Sequence, residues 1–265
     1  MTGSAFGRVR AWSDFLPLVP LQGDDTIPGT VGNPLGGGWA LHGDNEGSVV
    51  ATVDEPGGVL ACTTDVGDDD NIFITAGLWS PADGGMECEF RVKIVDSVAT
   101  TRAAVWCGFA ETLSTVTPVM PFETNGSTTT YNTGGSVGFL FDSDSTDLIW
   151  RFAAGDGTAA LATVGPTGTV GGAIGIDAEA TITADRWWVF KVEVYPSGLA
   201  RGFIMDTNAT TNINSEMRLV GETTAALGTG DNFHATIGIE NRSAANEIME
   251  LDYAYAQGWR DWAAD

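Results

Sequence analysis

Basic residues are scarce in this chain. Two lysines, Lys93 and Lys191, stand in 265 residues, and Lys and Arg together number 12 against 35 Asp and Glu, a net charge of −23. Proteins bind phosphate backbones by neutralising them with Lys and Arg. Nucleic acid is therefore excluded as an expected partner, and an anionic membrane with it. A basic patch on another protein is the complementary surface, while the same acidity also serves solubility or salt tolerance.

Cysteine is nearly as scarce. Cys62, Cys88 and Cys107 are odd in number and form no Cys-x-x-Cys pair, which excludes a full disulfide framework. Each lies in an apolar run, as a buried free thiol acting as a small hydrophobe does, and a reducing folding compartment follows. No apolar run reaches membrane-spanning length. Residues 1–20 lack the basic stretch and apolar core of a secretory signal, so synthesis in the cytoplasm is expected and the Asn-x-Ser/Thr triplets at Asn125, Asn208 and Asn241 count for little as glycan acceptors. Catalytic motifs are missing too: no Gly-x-Ser-x-Gly elbow, phosphate loop or His-Glu-x-x-His is present. His42 and His234 are the only histidines and belong to no motif.

What the chain has in quantity is glycine, 35 residues, and apolar residues, 43% of the total. Glycine with abundant Thr, Ser, Asp and Asn suits many turns between short strands. Residues 186–205 set the pattern. Trp188, Phe190, Val192 and Val194 share one side and Lys191 and Glu193 the other, the period of two that marks a strand with one dry face. Pro196-Ser197-Gly198 breaks the run with turn chemistry before a second β-rich segment, so a hairpin is expected. Residues 86–94 alternate as cleanly, Met86, Cys88, Phe90, Val92 and Ile94 against Glu87, Glu89, Arg91 and Lys93.

Residues 102–110 and 137–141 are more continuous apolar runs, and 111–136 read as a long Thr/Asn/Gly loop. Residues 233–240 alternate again. At 248–256, Met249, Leu251, Tyr253 and Tyr255 are expected on one face. Ten to twelve strands without a long helix read as an all-β, two-sheet antiparallel sandwich. Residues 1–45 carry Pro17, Pro20, Pro28 and Pro34, and proline removes ladder donors. They are expected to form an extended N-terminal arm or edge segment, with the sandwich domain at 46–265.

Three constellations bear on chemistry. Asp65, Asp68, Asp69 and Asp70 carry hard oxygen ligands for calcium, but their spacing is not that of an EF-hand, and a solvated acidic turn is the simpler expectation. Glu250 and Asp252 alternate on one strand like the paired carboxylates of a glycanase, which act in concert only when about 5–5.5 Å apart in a retaining enzyme. A third acid is absent and both are expected to face water, so no catalytic residue is assigned. Nine tryptophans are present. Trp106, Trp150 and Trp188 lie within apolar runs and are expected in the core. Trp12, Phe15, Trp39, Trp259 and Trp262, with Trp79, fall outside clean strands and are candidate interface residues, where aromatics supply much of the binding energy.

Taken in order, 86–94, Val105-Trp-Cys-Gly-Phe109, Gly138-Phe-Leu-Phe141, Trp188-Val-Phe-Lys-Val-Glu-Val194, Gly198-Leu-Ala-Arg-Gly-Phe203 and Leu251-Asp-Tyr-Ala-Tyr255 resemble the concanavalin A-like (laminin-G-type) jelly-roll sandwich. The versions they look like are those of virion structural proteins of tailed bacteriophages, over about residues 50–258. The chain departs from that fold's enzymes in lacking their acid triad, and from its calcium lectins in lacking a clear metal loop. The resemblance implies a non-enzymatic virion protein with no cofactor. A capsid decoration (cement) protein on the outer head surface leads, contacting the major capsid protein or other virion proteins as a homo-oligomer. A tail or fibre component, or a carbohydrate-binding adhesin, is the alternative, and a glycan-active enzyme the third reading. Fold alone does not choose among them.

Overall fold

The computed structural model describes residues 8–13, 33–36, 38–43, 47–52, 58–95, 102–111, 119–132, 134–164, 176–182, 185–207 and 216–259. The clean alternation in two segments sets the first sheet. Met86–Val95 (β7) and Trp187–Val194 (β16) pair antiparallel with Phe90 opposite Phe190, Cys88 opposite Val192 and Met86 opposite Val194. All six are buried, at roughly 1.5–3 kcal/mol for each large side chain removed from water. A one-residue slip would exchange this set for Lys191, Glu193 and their partners, so register is tightly specified.

From one edge, the sheet runs Thr163–Val164 (β14), Arg218–Thr223 (β18), Ala200–Asp206 (β17), β16, β7, Ile248–Trp259 (β20), Val59–Thr63 (β5) and Ser48–Thr52 (β4). Arg8–Ser13 (β1) pairs with the second half of β20, Trp12 opposite Tyr255 and Arg10 opposite Gln257. The first half of β20 is taken by β5. The hairpin expected at 186–205 is β16–β17. Its turn closes through the Tyr195 N–H on the Leu199 carbonyl at 2.8 Å, with Gly198 at φ 80.

The second sheet runs Ala160–Leu161 (β13), Ile149–Asp156 (β12), Gly135–Asp142 (β11), Ala103–Ala110 (β8), Phe233–Asn241 (β19), Asn71–Trp79 (β6), Trp39–Gly43 (β3) and Asn33–Gly36 (β2), with Ile176–Thr181 (β15) also on β12. The inner faces meet through aromatic contacts: Trp150 lies 4.4 Å and Phe139 4.9 Å from Phe190, and Trp39 lies 5.8 Å from Phe90, between ring centroids. This is a two-sheet antiparallel jelly-roll sandwich. Among the described residues its single helical element is the 3-10 turn Pro81–Asp83.

One expectation is corrected by the packing. The loop expected at 111–136 contains a hairpin, Phe122–Asn125 (β9) and Thr128–Tyr131 (β10). Asn125-Gly126 at its tip, with Gly126 at φ 61, is a strong hairpin signal. The hairpin lies over the outer face of the second sheet. Phe122 and Met120 form a second apolar cluster there with Phe73, Trp106 and Leu140. Within the arm or edge segment expected at 1–45, β1 pairs with β20 in the first sheet, and β2 and β3 form one edge of the second. Residues 14–32 lie outside the described residues, and with them Phe15.

Candidate functional site

Among the described residues no element lies over the outer face of the first sheet, and the strand alternation decides what it shows. Glu87, Glu89 and Lys93 from β7 stand opposite Glu193, Lys191 and Trp187 from β16, and Arg91 stands opposite Val189. Arg201 of β17 reaches Glu222 of β18 at 2.8 Å. Lys191 bridges Glu193 at 2.7 Å and Glu87 at 3.4 Å. Burial opposes the Lys191 charge, but the two carboxylates outweigh it and hold its pKa above the usual lysine value. Arg91 and Lys93 lie over the Trp187 ring at 4.6 and 4.9 Å.

Glu250 and Asp252 also project here. Lys93 holds Glu250 at 2.5 Å, and Arg91 holds Asp252. Each acid is matched by its own cation, an arrangement that positions charge without leaving a free pair for acid–base work.

The final strand corrects a further expectation. Met249 and Leu251 point inward, but the register shifts between Leu251 and Tyr253. Asp252 is the extra residue of a β-bulge, which resets which side chains face out. After it Ala254, Ala256 and Gly258 are buried, and Tyr253, Tyr255 and Gln257 join the outer face. Trp12 of β1 then stacks on Tyr253, centroids 5.4 Å apart and planes 19° apart, and lies 6.0 Å from Tyr255. Trp12 remains 54% exposed.

The aromatic group is fixed by polar bonds beneath it. Tyr253 donates to Glu89 at 2.6 Å and Tyr255 to Glu87 at 3.2 Å. Gln257 donates to Glu87 and accepts from Arg10 at 3.1 Å. Burial and the bond to Glu89 raise the Tyr253 pKa, keeping it a neutral donor. An exposed indole on a rigid tyrosine floor, rimmed by carboxylate and amide oxygens, is suited to bind a ligand with one apolar and one hydroxylated side. Counting Arg10, Arg91, Lys93, Lys191 and Arg201 against Glu87, Glu89, Glu193, Glu222, Glu250 and Asp252, the face carries a net −1, whereas the chain carries −23. Both lysines are on it.

At the end of this face lies a groove of about 270 Å³, lined by Gly84 to Glu87, Glu193 to Pro196 and Gln257 to Trp259. Trp259 is 39% exposed. Of the other candidate interface residues, Trp39 is corrected to the core at 1% exposure and Trp79 at 2%. Trp39 heads β3, whose alternation turns Trp39 and Leu41 inward. Trp262 lies outside the described residues. Trp106, Trp150 and Trp188 are core, as expected.

The acidic turn is organised differently. The Asp70 carboxylate accepts the Gly67 N–H at 2.8 Å, the Asp65 carbonyl accepts from Asn241, and Asp69 faces Arg242 at 3.7 Å. Asp65, Asp68, Asp69 and Asp70 are not brought together as ligands, and among the described residues no three acidic, His or Cys side chains converge as a metal requires. Arg242 is the centre of this end. It meets Asp142 at 3.2 and 3.0 Å and Glu240 at 2.6 Å, all buried. One guanidinium shared between two carboxylates leaves burial dominant at Glu240, whose pKa is raised to about 8. A cavity of about 380 Å³ opens above it.

No protein-family model matches the chain, and no curated protein matches it by sequence. Solved structures do match in fold. A Shewanella oneidensis MR-1 protein of unknown function is 10% identical with a TM-score of 0.57, over 100% of this chain and 92% of that one. Peanut lectin is 11% identical with a TM-score of 0.52, over 94% and 97%. The carbohydrate recognition domain of Emp46p, in its potassium-bound form, is 11% identical with a TM-score of 0.50, over 92% and 97%. The chain thus has the concanavalin A-like fold.

Proposed function

We propose that this chain is a non-enzymatic carbohydrate-binding protein whose glycan site is the open face of the first sheet. The observation that carries this reading is the stack of Trp12 on Tyr253 beside Tyr255, exposed above Glu87, Glu89 and Gln257. A sugar ring offers C–H groups to the indole and hydroxyls to the surrounding oxygens. Covering about 50 Å² of apolar ring at roughly 25 cal/mol per Å² contributes about 1 kcal/mol, up to tenfold in affinity. Lectins among the proteins of like fold accord with this class. Absence of catalysis accords with the pairing of Glu250 and Asp252 to Lys93 and Arg91.

A glycan array probed with the wild-type chain and with Trp12→Ala tests the proposal. Saturable binding to a defined glycan set, lost in the variant at unchanged folding, is the expected result. An array with no binding above background removes the reading.

A second reading keeps the virion role. The exposed Trp12 and Trp259 on a nearly charge-balanced face of a −23 protein suit docking on a capsid subunit, or an adhesin that joins particle and glycan. Purified chain sedimenting with phage heads that lack it, through Trp12 and independently of sugar, favours docking over glycan binding.

A further inference from the structure

We infer that the groove beside Trp259 is a second subsite of the same ligand, and that the ligand is an uncharged oligosaccharide lying along β20 from Trp12 to Trp259. This rests on the carbohydrate reading above and extends it to ligand length and charge.

The two places are physically continuous. Tyr255, Gln257 and Trp259 succeed one another on the outer side of β20, and at ~3.3 Å per residue the first and last lie ~13 Å apart. That separation exceeds one sugar ring. Glu87 is common to both: it accepts from Tyr255 under the Trp12 platform, and it lines the groove with Gln257.

The groove is built by its backbone. Gly84 at φ 132 and Gly85 at φ 91 form its floor. A Cβ on Gly84 would come within 2.8 Å of the Trp259 Cβ, and one on Gly85 within 2.8 Å of the Val194 carbonyl. The Trp259 backbone N–H, on the Gly85 carbonyl at 3.3 Å, ties the end of β20 to the groove. Tyr195 and Pro196 line the groove from the β16–β17 turn.

Charge selects the ligand class. The side chains that line the groove carry two carboxylates, Glu87 and Glu193, and no Lys or Arg. Lys191 bridges the two at 3.4 and 2.7 Å, Arg10 stands behind Gln257 at 3.1 Å and Arg201 behind Tyr195 at 3.0 Å. Carboxylate oxygens accept hydrogen bonds from hydroxyls, whereas a uronate or sulfate would meet like charge.

Calorimetric titration of the full chain tests this with neutral gluco-, xylo-, manno- and chito-oligosaccharides from disaccharide to hexasaccharide, and with oligogalacturonates of matching length. Affinity for the neutral series that binds is expected to rise with length, and oligogalacturonates are expected to bind at least tenfold more weakly. Trp259→Ala is expected to lose about tenfold for the longest sugar and nothing for the shortest, whereas Trp12→Ala weakens every length. Tyr195→Ala reads the same groove without altering Trp259, and is expected to reproduce the loss for long sugars. If both groove variants bind every length as the wild type does while Trp12→Ala fails, the subsite is wrong and the platform stands. Equal binding of oligogalacturonates overturns the charge assignment. No binding of any sugar by the wild type overturns both readings together.

Discussion

The two sheets have the same architecture and opposite outer faces. On the first sheet no element among the described residues covers the outer face, and β7 alternates, buried at every second residue. On the second sheet the hairpin β9–β10 covers the outer face, and β8 and β11 are buried at every residue. A strand dry on both sides reads as a continuous apolar run, and a strand dry on one side as an alternation. The difference teaches where interaction surface is available. The covered face has spent its aromatics on packing, with Trp106 stacked 5.8 Å from Phe122. The open face keeps Trp12 in solvent.

Substitution on the covered face is expected to have the largest effect. Trp106→Ala should destabilise the fold by about 3–5 kcal/mol, measured by denaturant unfolding. A loss below about 1 kcal/mol would mean that the hairpin does not close that face.

The anchor of the hairpin comes next. Asp142 accepts the Thr124 N–H at 2.7 Å and also holds Arg242. Arg242→Ala leaves the buried Asp142 carboxylate without its cation, and should cost about 3 kcal/mol. The cost is expected to shrink when Asp142→Asn is added.

The same site sets a pH dependence. Glu240 has a folded pKa of about 8 against an ordinary 4.5. Its contribution is therefore fully present below the ordinary value and is lost as pH rises through 8. Facing it are Arg242, Glu123 and Asp69. The unfolding free energy should fall between pH 5 and pH 9 by up to roughly 4 kcal/mol, and Glu240→Gln should flatten that slope. An unchanged slope in the variant would assign the dependence to other groups.

On the open face stability should barely respond. Trp12→Ala is expected within about 0.5–1 kcal/mol of the wild type, an effect confined to binding. Smallest of all is the thiol response. Cys62, Cys88 and Cys107 are fully buried, and burial pushes the Cys62 thiol up to about 12. The folded chain should leave a thiol reagent unreacted over hours, and three equivalents should react in denaturant.

Much of the sandwich was legible because period-two patterning is a direct record of one-sided burial. Residues 86–94 and 187–194 needed nothing else. Trp39 was misplaced because Gly36-Gly37-Gly38 masks the short alternation that follows it. The covering hairpin had a signal, Asn125-Gly126, hidden among residues that also compose loops. The aromatic platform had none. Met249, Leu251, Tyr253 and Tyr255 form an unbroken alternation, and only the pairing with β7 reveals that Asp252 is an inserted residue. Trp12 is brought to Tyr253 across more than 240 residues of chain by that same pairing, a long-range fact that no local pattern carries.

The most direct test is a nuclear magnetic resonance titration of the tryptophan indole N–H signals with the neutral oligosaccharide that binds best. Saturable shifts of Trp12, with Trp106 and Trp150 unmoved, are the expected result. A saturating ligand that leaves the Trp12 signal in place would contradict a glycan site on the open face of the first sheet.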